Sequence, residues 1–387
     1  MKLGWIDYSK EERNKIVYIL RNLKNQSAVD ELGIGTIRDA FSDILFPGIS
    51  TLHTRAKYYV LIPYLFQKAE SVNFKKQSDV RSWIESKEDA LVKTLIRNSD
   101  KSTSGIIGAR IQQSGGSVKY KPSGTYWNAF RSWGILKISD LSLDDACALT
   151  YAKSKKRNDI KLKQETENES ADDIDNLRGS SVLFEPIMFK EEYLEEASIT
   201  LLKHEADFLF NQITTFSKTK DSLLSFMLRE HYLPESFEKI DSSKLPSDIE
   251  KVVKLAQDFS NFIFGAHLLF NVIYSEGSDE VIAHDFEKWF EEKHLVDLEE
   301  VIKISHCSPG TRDFLNKFKK HIDEHNIDAA KKLLIQREKQ IKGDRSKLSN
   351  IEKNKYKVPI HAYKLYYRYP TVFTILSDIQ IGLDNHG

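Results

Sequence analysis

Cysteine is nearly absent from this chain: of 387 residues, two are cysteines, Cys147 and Cys307. Two thiols cannot build a disulfide framework, so the fold must rest on its core. With no signal peptide ahead of Trp5, a reducing cytoplasmic setting is expected. Net charge is absent as well, 57 basic residues standing against 57 acidic ones. That excludes a protein that coats nucleic acid indiscriminately, while leaving room for local patches. Long apolar runs are also missing. The most apolar window, Phe262 to Tyr274, covers 13 residues and includes Gly265, His267 and Asn271, whereas a membrane span needs roughly 20 apolar residues. It reads as a buried helix, and no membrane partner is expected.

Familiar catalytic patterns are equally scarce. There is no Walker lysine motif and no nucleophile elbow, and Gly33-Ile34-Gly35 lacks the third glycine and the preceding strand of a dinucleotide fingerprint. No cofactor is expected. His321, Glu324 and His325 fit the H-x-x-E-H order of inverted zinc peptidases, and in a continuous helix both imidazoles would lie on one side. The setting argues against it: the motif sits at a polar helix end beside Lys319 and Lys320, with Asn326 as a stop. A mixed set of His306, Cys307, His321 and His325 would be an unusual zinc composition. The chain therefore reads as non-catalytic, with a metal-dependent hydrolase as the third-ranked reading.

What is present is helical periodicity. Apolar residues recur at helical spacing over Ser9 to Leu23, Ile37 to Leu45, Thr51 to Val60, Val80 to Arg97, Tyr193 to Phe216, Ser222 to Tyr232, Ser247 to Tyr274, Phe286 to Ile304, Thr311 to His325 and Asp328 to Ile341. Pro63 should kink or end its helix. Strand signals are confined to Ser117 to Lys121 and Leu136 to Ser139. The fold class is mainly α and multi-helical. A length of 387 residues implies more than one domain: an N-terminal helical domain over 1–153, an acidic linker over 154–182, and a larger helical domain over 183–387. Between Asp159 and Ser198 twelve acids face four bases, which marks the linker.

Charge is unevenly placed. Lys101 to Ile138 holds six Lys or Arg and no acid. Within it, Ser123 can cap a helix backed by Tyr126, Trp127, Phe130 and Trp133 and stopped by Gly134. The other face carries Thr125, Asn128 and Arg131. Asn and Arg pair bidentately with adenine and guanine edges, and Lys119, Lys121 and Lys137 could hold phosphates on either side. Helix, Trp-Gly-Ile-Leu, then strand makes 101–139 winged-helix-like. The competing reading is a core helix with a solvated arginine.

A second tract, Lys331 to Lys357, has ten Lys or Arg against Glu338, Asp344 and Glu352. It supplies Lys339, Lys342, Arg345 and Lys347 as candidate phosphate contacts. His361, Tyr363, Tyr366, Tyr367, Arg368 and Tyr369 follow, and cations next to aromatics suit phosphate contact with base stacking. Nucleic acid, DNA or RNA, is the leading partner. A protein scaffold working through acidic faces is the alternative.

Leu32 to Tyr59 resembles the opening of an uncharacterised bacterial family of unknown function, and Tyr126-Trp127-Asn128, Trp133-Gly134-Ile135 and Arg368-Tyr369-Pro370 fit the same family. The resemblance brings no catalytic assignment. It implies a component of prokaryotic defence clusters, beside partners such as a helicase or nuclease. It also draws attention to Arg38, Asp39, Arg55 and Lys57, which stand near helix starts where backbone amides can receive phosphate.

Overall fold

The computed structural model describes residues 30–100, 104–112, 118–167, 181, 183–185, 187, 193–292, 295–350 and 356–385. The expected helix Ser9 to Leu23, the start of the expected strand at Ser117 and residues 168–180 of the acidic segment lie outside them. Helices dominate, in the order α1 Gly35–Leu45, α2 Tyr58–Ala69, α3 Gln77–Asn98, α4 Pro122–Ser132, α5 Leu143–Glu167, α6 Lys203–Thr215, α7 Leu223–Arg229, α8 Ser247–Tyr274, α9 Glu280–Glu291, α10 Leu298–Ser305, α11 Pro309–Asp323, α12 Ile327–Lys342 and α13 Tyr369–Asp384. Short single turns fall between some of them.

Helix starts follow from local chemistry. Ser308 accepts the Thr311 amide and Pro309 takes the first position of α11, while Asn326 accepts the Ala329 amide at the head of α12. The residues that punctuate the sequence are thus the caps. The expected helix from Phe286 to Ile304 is two helices, because Asp297 caps a new start by accepting the Glu300 amide. Pro63 neither ends nor breaks α2, which continues to Ala69 with Tyr58 through Phe66 all buried. Burial on every side offsets the single amide hydrogen bond that proline cannot make.

Contacts divide the chain into two compact units: residues up to Phe41 with Glu250–Tyr367, and Ser42–Ile249 with Arg368 onward. The expected boundary near residue 153 falls inside α5, which also includes residues 154–167 of the segment read as a linker. In the first unit α11 lies against α12, and the long α8 buries Val253, Ala256, Phe259, Phe262, Ile263, Ala266 and Phe270. In the second, α6 runs beside α13 and α3 beside α5, with α2 against α4.

Among the described residues, strand pairing amounts to an isolated antiparallel bridge between Leu136 and Phe184. The Lys137 amide donates to the Leu183 carbonyl and the Glu185 amide to Ile135. The helix of the winged-helix-like segment exists as α4, but the described residues hold no wing of paired strands around it. Gly134 does end that stretch, at φ +67°, and a side chain there would collide with the Phe216 ring.

Candidate functional site

The aromatics of α4 are core, as their spacing predicts: Tyr126, Trp127, Phe130 and Trp133 are buried. The polar candidates around them are mostly engaged. Lys121 is paired with Asp89 at 2.6 Å, and Arg131 donates to the Ser139 carbonyl at 2.5 Å and to Asp140 at 3.4 Å. Lys137 donates to the Ser181 carbonyl at 3.0 Å, and the Thr125 hydroxyl to the Lys121 carbonyl. Lys119 lies over the Tyr120 ring, and Asn128 is exposed. Arg368 is committed too, to Asp43 at 2.6 Å and the Ile49 carbonyl at 2.8 Å.

Arg55, half-buried, and Lys57, buried, are held in ion pairs within the fold. Arg55 clasps Asp378 through Nε and Nη2, at 2.8 and 2.7 Å, and the Ala56 amide adds a third bond to that carboxylate. Lys57 donates to both oxygens of Glu205 at 2.8 and 2.7 Å, and Tyr193 donates to the same carboxylate. His53 stacks on Tyr126 with ring centroids 4.2 Å apart. Burial pushes its pKa down to about 4, opposed by its bond to the Thr125 carbonyl.

The H-x-x-E-H arrangement fails for a geometric reason. Helix α11 ends at Asp323, and His325 adopts a left-handed conformation at φ +56°. The Asn326 amide reaches back to the His321 carbonyl and the His325 amide to Ile322, a Schellman termination that turns the second histidine off the face of the first. Glu324 is paired with Lys320. Among the described residues no group of three His, Cys, Asp or Glu is arranged to hold a metal ion.

The basic tract behaves differently. At 3.6 residues per turn, Lys331, Lys332, Lys339 and Lys342 share one side of α12, a stripe about 100° wide and about 16 Å long. Arg345 follows in the next turn. Among the described residues none of these five has a carboxylate within ion-pairing distance. Asp328 stands four positions before Lys332 without pairing to it. Glu338 stands four before Lys342 but is fully buried, accepting from the Ser346 hydroxyl and from the amides of Lys347 and Leu348. Lys339 and Lys342 also lie in the last turn, where they complement the carbonyl end of the helix.

Glu338 folds the chain after α12 back on itself, and this brings Lys347 to Glu31 at 3.0 Å. Arg337 fixes the same neighbourhood by donating to the Leu32 carbonyl at 2.9 Å and to the Thr311 hydroxyl at 2.8 Å. Glu31 is buried, and His361 Nε2 stands 3.1 Å from its second oxygen. Among the described residues that oxygen has no well-aligned hydrogen bond. The other ring nitrogen of His361, Nδ1, lies 2.8 Å from the Tyr363 hydroxyl. Burial works to raise the Glu31 pKa, but His361 and Lys347 together bring it below the ordinary value. His267 on α8 is next to His361, with ring centroids 6.1 Å apart, and its buried Nδ1 has no hydrogen-bond partner among the described residues.

Of the aromatics after the basic tract, Tyr367 is core, donating to the Ala256 carbonyl at 2.7 Å, and Tyr369 donates to the Pro234 carbonyl at 2.6 Å. Tyr363 and Tyr366 remain half-buried, with ring centroids 5.9 Å apart. Sequence reasoning missed Glu31, which no local motif marks and which meets His361 only through the fold.

The chain belongs to a family of unknown function, DUF6361, whose model matches residues 1–284. Neither a curated protein nor a solved structure matches it. The matched span includes Glu31, Arg38 and His267 and ends before α12.

Proposed function

We propose that this chain binds nucleic acid as a component of a defence or DNA-processing assembly containing a helicase or nuclease, with α12 and the turn after it as the main contact. One observation carries the reading: five cations on and just after α12 lack carboxylate partners among the described residues, although the lysines of the adjoining α11 are matched to acids. A row of uncommitted cations is what a phosphate backbone engages, and release of counterions supplies the affinity. The candidate contacts around α4 are weaker, because Lys121, Arg131 and Lys137 would have to give up existing partners.

The test is a salt titration of binding to fluorescent DNA and RNA, followed by anisotropy. Replacing Lys332, Lys339, Lys342 and Arg345 together with Gln is expected to lower affinity roughly 10²-fold, and the slope of log affinity against log salt by about 3 to 4. Replacing Lys119 and Asn128 with Ala is expected to change affinity by less than about threefold, since neither adds an uncommitted charge to the stripe. Unchanged binding by the quadruple variant would remove α12 from the interface. A protein scaffold would instead retain its partner in every one of these variants.

A further inference from the structure

We infer that Tyr363 is the nucleophile of a Glu31–His361–Tyr363 relay and accepts a phosphoryl group from the backbone of a nucleic-acid strand, forming a transient tyrosyl phosphodiester. The inference rests on the binding reading above and adds a covalent step to it.

Three side chains stand in the order that activates a hydroxyl. A nucleophile is recognised by a base within hydrogen-bond reach that is itself oriented by a third group, and such contacts are often loose before substrate binds. Here the base is His361, with Tyr363 at 2.8 Å on Nδ1 and Glu31 at 3.1 Å from Nε2. Because Glu31 is ionised, it favours the tautomer with the proton on Nε2, which leaves Nδ1 to accept from the tyrosine.

The backbone around these residues is fixed by hydrogen bonds. His361 sits at φ +50°, in the left-handed region. The Tyr363 amide closes a tight turn on the His361 carbonyl at 2.7 Å. Just before it, Asn271 of α8 clamps both the amide and the carbonyl of Ile360, at 2.6 and 2.7 Å. The segment before α1, the helix α8, the turn after α12 and the loop before α13 therefore converge on one imidazole and one phenol. His361 is a quarter exposed and Tyr363 half-buried, so the end of the relay is open to a ligand.

The substrate class follows from the neighbours. The charge of Arg38 reaches both Tyr363 and Tyr366, opposing the burial that raises their pKa values. A guanidinium matches phosphate oxygens in a bidentate fork, and to do so Arg38 would exchange its exposed pairing with Asp39 at 3.3 Å. Lys347, on the other oxygen of Glu31, is the continuation of the α12 tract. A strand lying along Lys332, Lys339, Lys342 and Arg345 would thus be led toward the relay. In the step, Tyr363 Oη forms a bond to phosphorus as its proton passes to His361 Nδ1. The ester bond to one ribose oxygen breaks, and that oxygen takes up a proton from water. Reversal restores the strand and the free tyrosine, so no other reactant is consumed.

Two measurements on the full chain test this. An aryl sulfonyl fluoride, with modified tyrosines mapped by mass spectrometry, is expected to label Tyr363 at least about tenfold faster than its neighbour Tyr366, a modest share of what a positioned base supplies. The excess should vanish in His361→Gln and in Glu31→Gln, with the Tyr366 rate unmoved. Equal labelling of the two tyrosines in the unaltered protein overturns the relay. Incubation with DNA and RNA carrying a different dye at each end should give an SDS-resistant protein adduct that is absent in Tyr363→Phe, with strand binding by that variant measured alongside by anisotropy. Binding without any adduct, or an adduct that survives Tyr363→Phe, also overturns the relay while leaving the binding reading intact. Loss of binding in the unaltered protein removes that reading itself.

Discussion

Helices α11 and α12 lie against each other and both carry several lysines, yet they use them in opposite ways. In α11 every lysine has an acid one turn away: Lys317 with Asp313 at 2.8 Å, Lys319 with Asp323 at 2.7 Å and Lys320 with Glu324 at 3.8 Å. In α12 the acid best placed to do this, Glu338, is consumed by the backbone of the following turn. The composition of two helices can be similar while the charge each offers to a ligand differs. What decides it is where the carboxylates are spent. The α4 region makes the same point, since its acid-free sequence carries cations whose partners come from elsewhere in the chain.

The sharpest break in this contrast is a cation with no freedom at all. Lys57 is almost wholly buried against Glu205, which is itself fully buried. Lys57→Ala strands that carboxylate with, among the described residues, only the Tyr193 hydroxyl and the Leu202 amide as donors. The expected cost is about 3–5 kcal/mol in urea unfolding. Replacing Lys332 or Lys339 is expected to change stability by less than about 0.5 kcal/mol. A loss under about 1 kcal/mol for Lys57→Ala would mean that water or a rearranged side chain reaches Glu205, and the division into committed and free cations would lose its physical basis.

Glu88 is the converse case, an acid with no ion pair among the described residues. It is buried beneath the start of α4 and accepts the Ser123 amide at 2.5 Å and the Ser123 hydroxyl at 3.2 Å. Lys121, whose charge reaches Glu88, is engaged by Asp89. Burial raises the Glu88 pKa to about 7, with the Ser123 bonds and Lys121 only partly opposing it. Between the ordinary carboxylate range and about pH 7 the native state therefore holds a proton that the unfolded chain releases. Stability should fall as pH rises through that window, by up to roughly 3 kcal/mol, and level off above it. Glu88→Gln keeps an acceptor for the Ser123 amide and should remove this component of the slope. Urea midpoints collected from pH 5 to pH 8, intervals of about one unit being sufficient, check it. Parallel curves for the two proteins would show that Glu88 is already ionised in the fold.

Most helices were legible in the sequence because each depends on periodicity and caps within one segment. The spacing over α3, α8 and α12 and the stops at Gly134, Ser308 and Asn326 all reappear in the fold. Pro63 was misleading as a stop because the rule for proline weighs one lost hydrogen bond, while α2 is packed on all sides. His321 and His325 looked like ligands on one face because a spacing of four assumes that the helix continues, and it does not. The site was legible only as composition. Lys347 and Arg368 were read as phosphate contacts, but their partners Glu31 and Asp43 lie 316 and 325 positions away. The relay was invisible for the same reason: His361 and Tyr363 are two positions apart in sequence, and the acid that orients them comes from the other end of the chain.

The smallest effect asks whether pairing itself silences the lysines of α11. Asp313→Asn, Asp323→Asn and Glu324→Gln together leave Lys317, Lys319 and Lys320 in place and remove the acids one turn away. Each exposed pair is worth a few tenths of a kcal/mol, so the triple variant should lose no more than about 1.5 kcal/mol of stability. Removing three negative charges near α12 and freeing three positive ones should then raise affinity for DNA a few-fold at low salt. If the freed lysines reach phosphates, the salt slope steepens, by as much as about 0.9 for each new contact. If affinity rises and the slope does not, the gain is long-range attraction alone and the contact surface is confined to α12. If neither changes, the state of pairing is irrelevant to binding, and the difference between the two helices must lie in which of them a strand can reach.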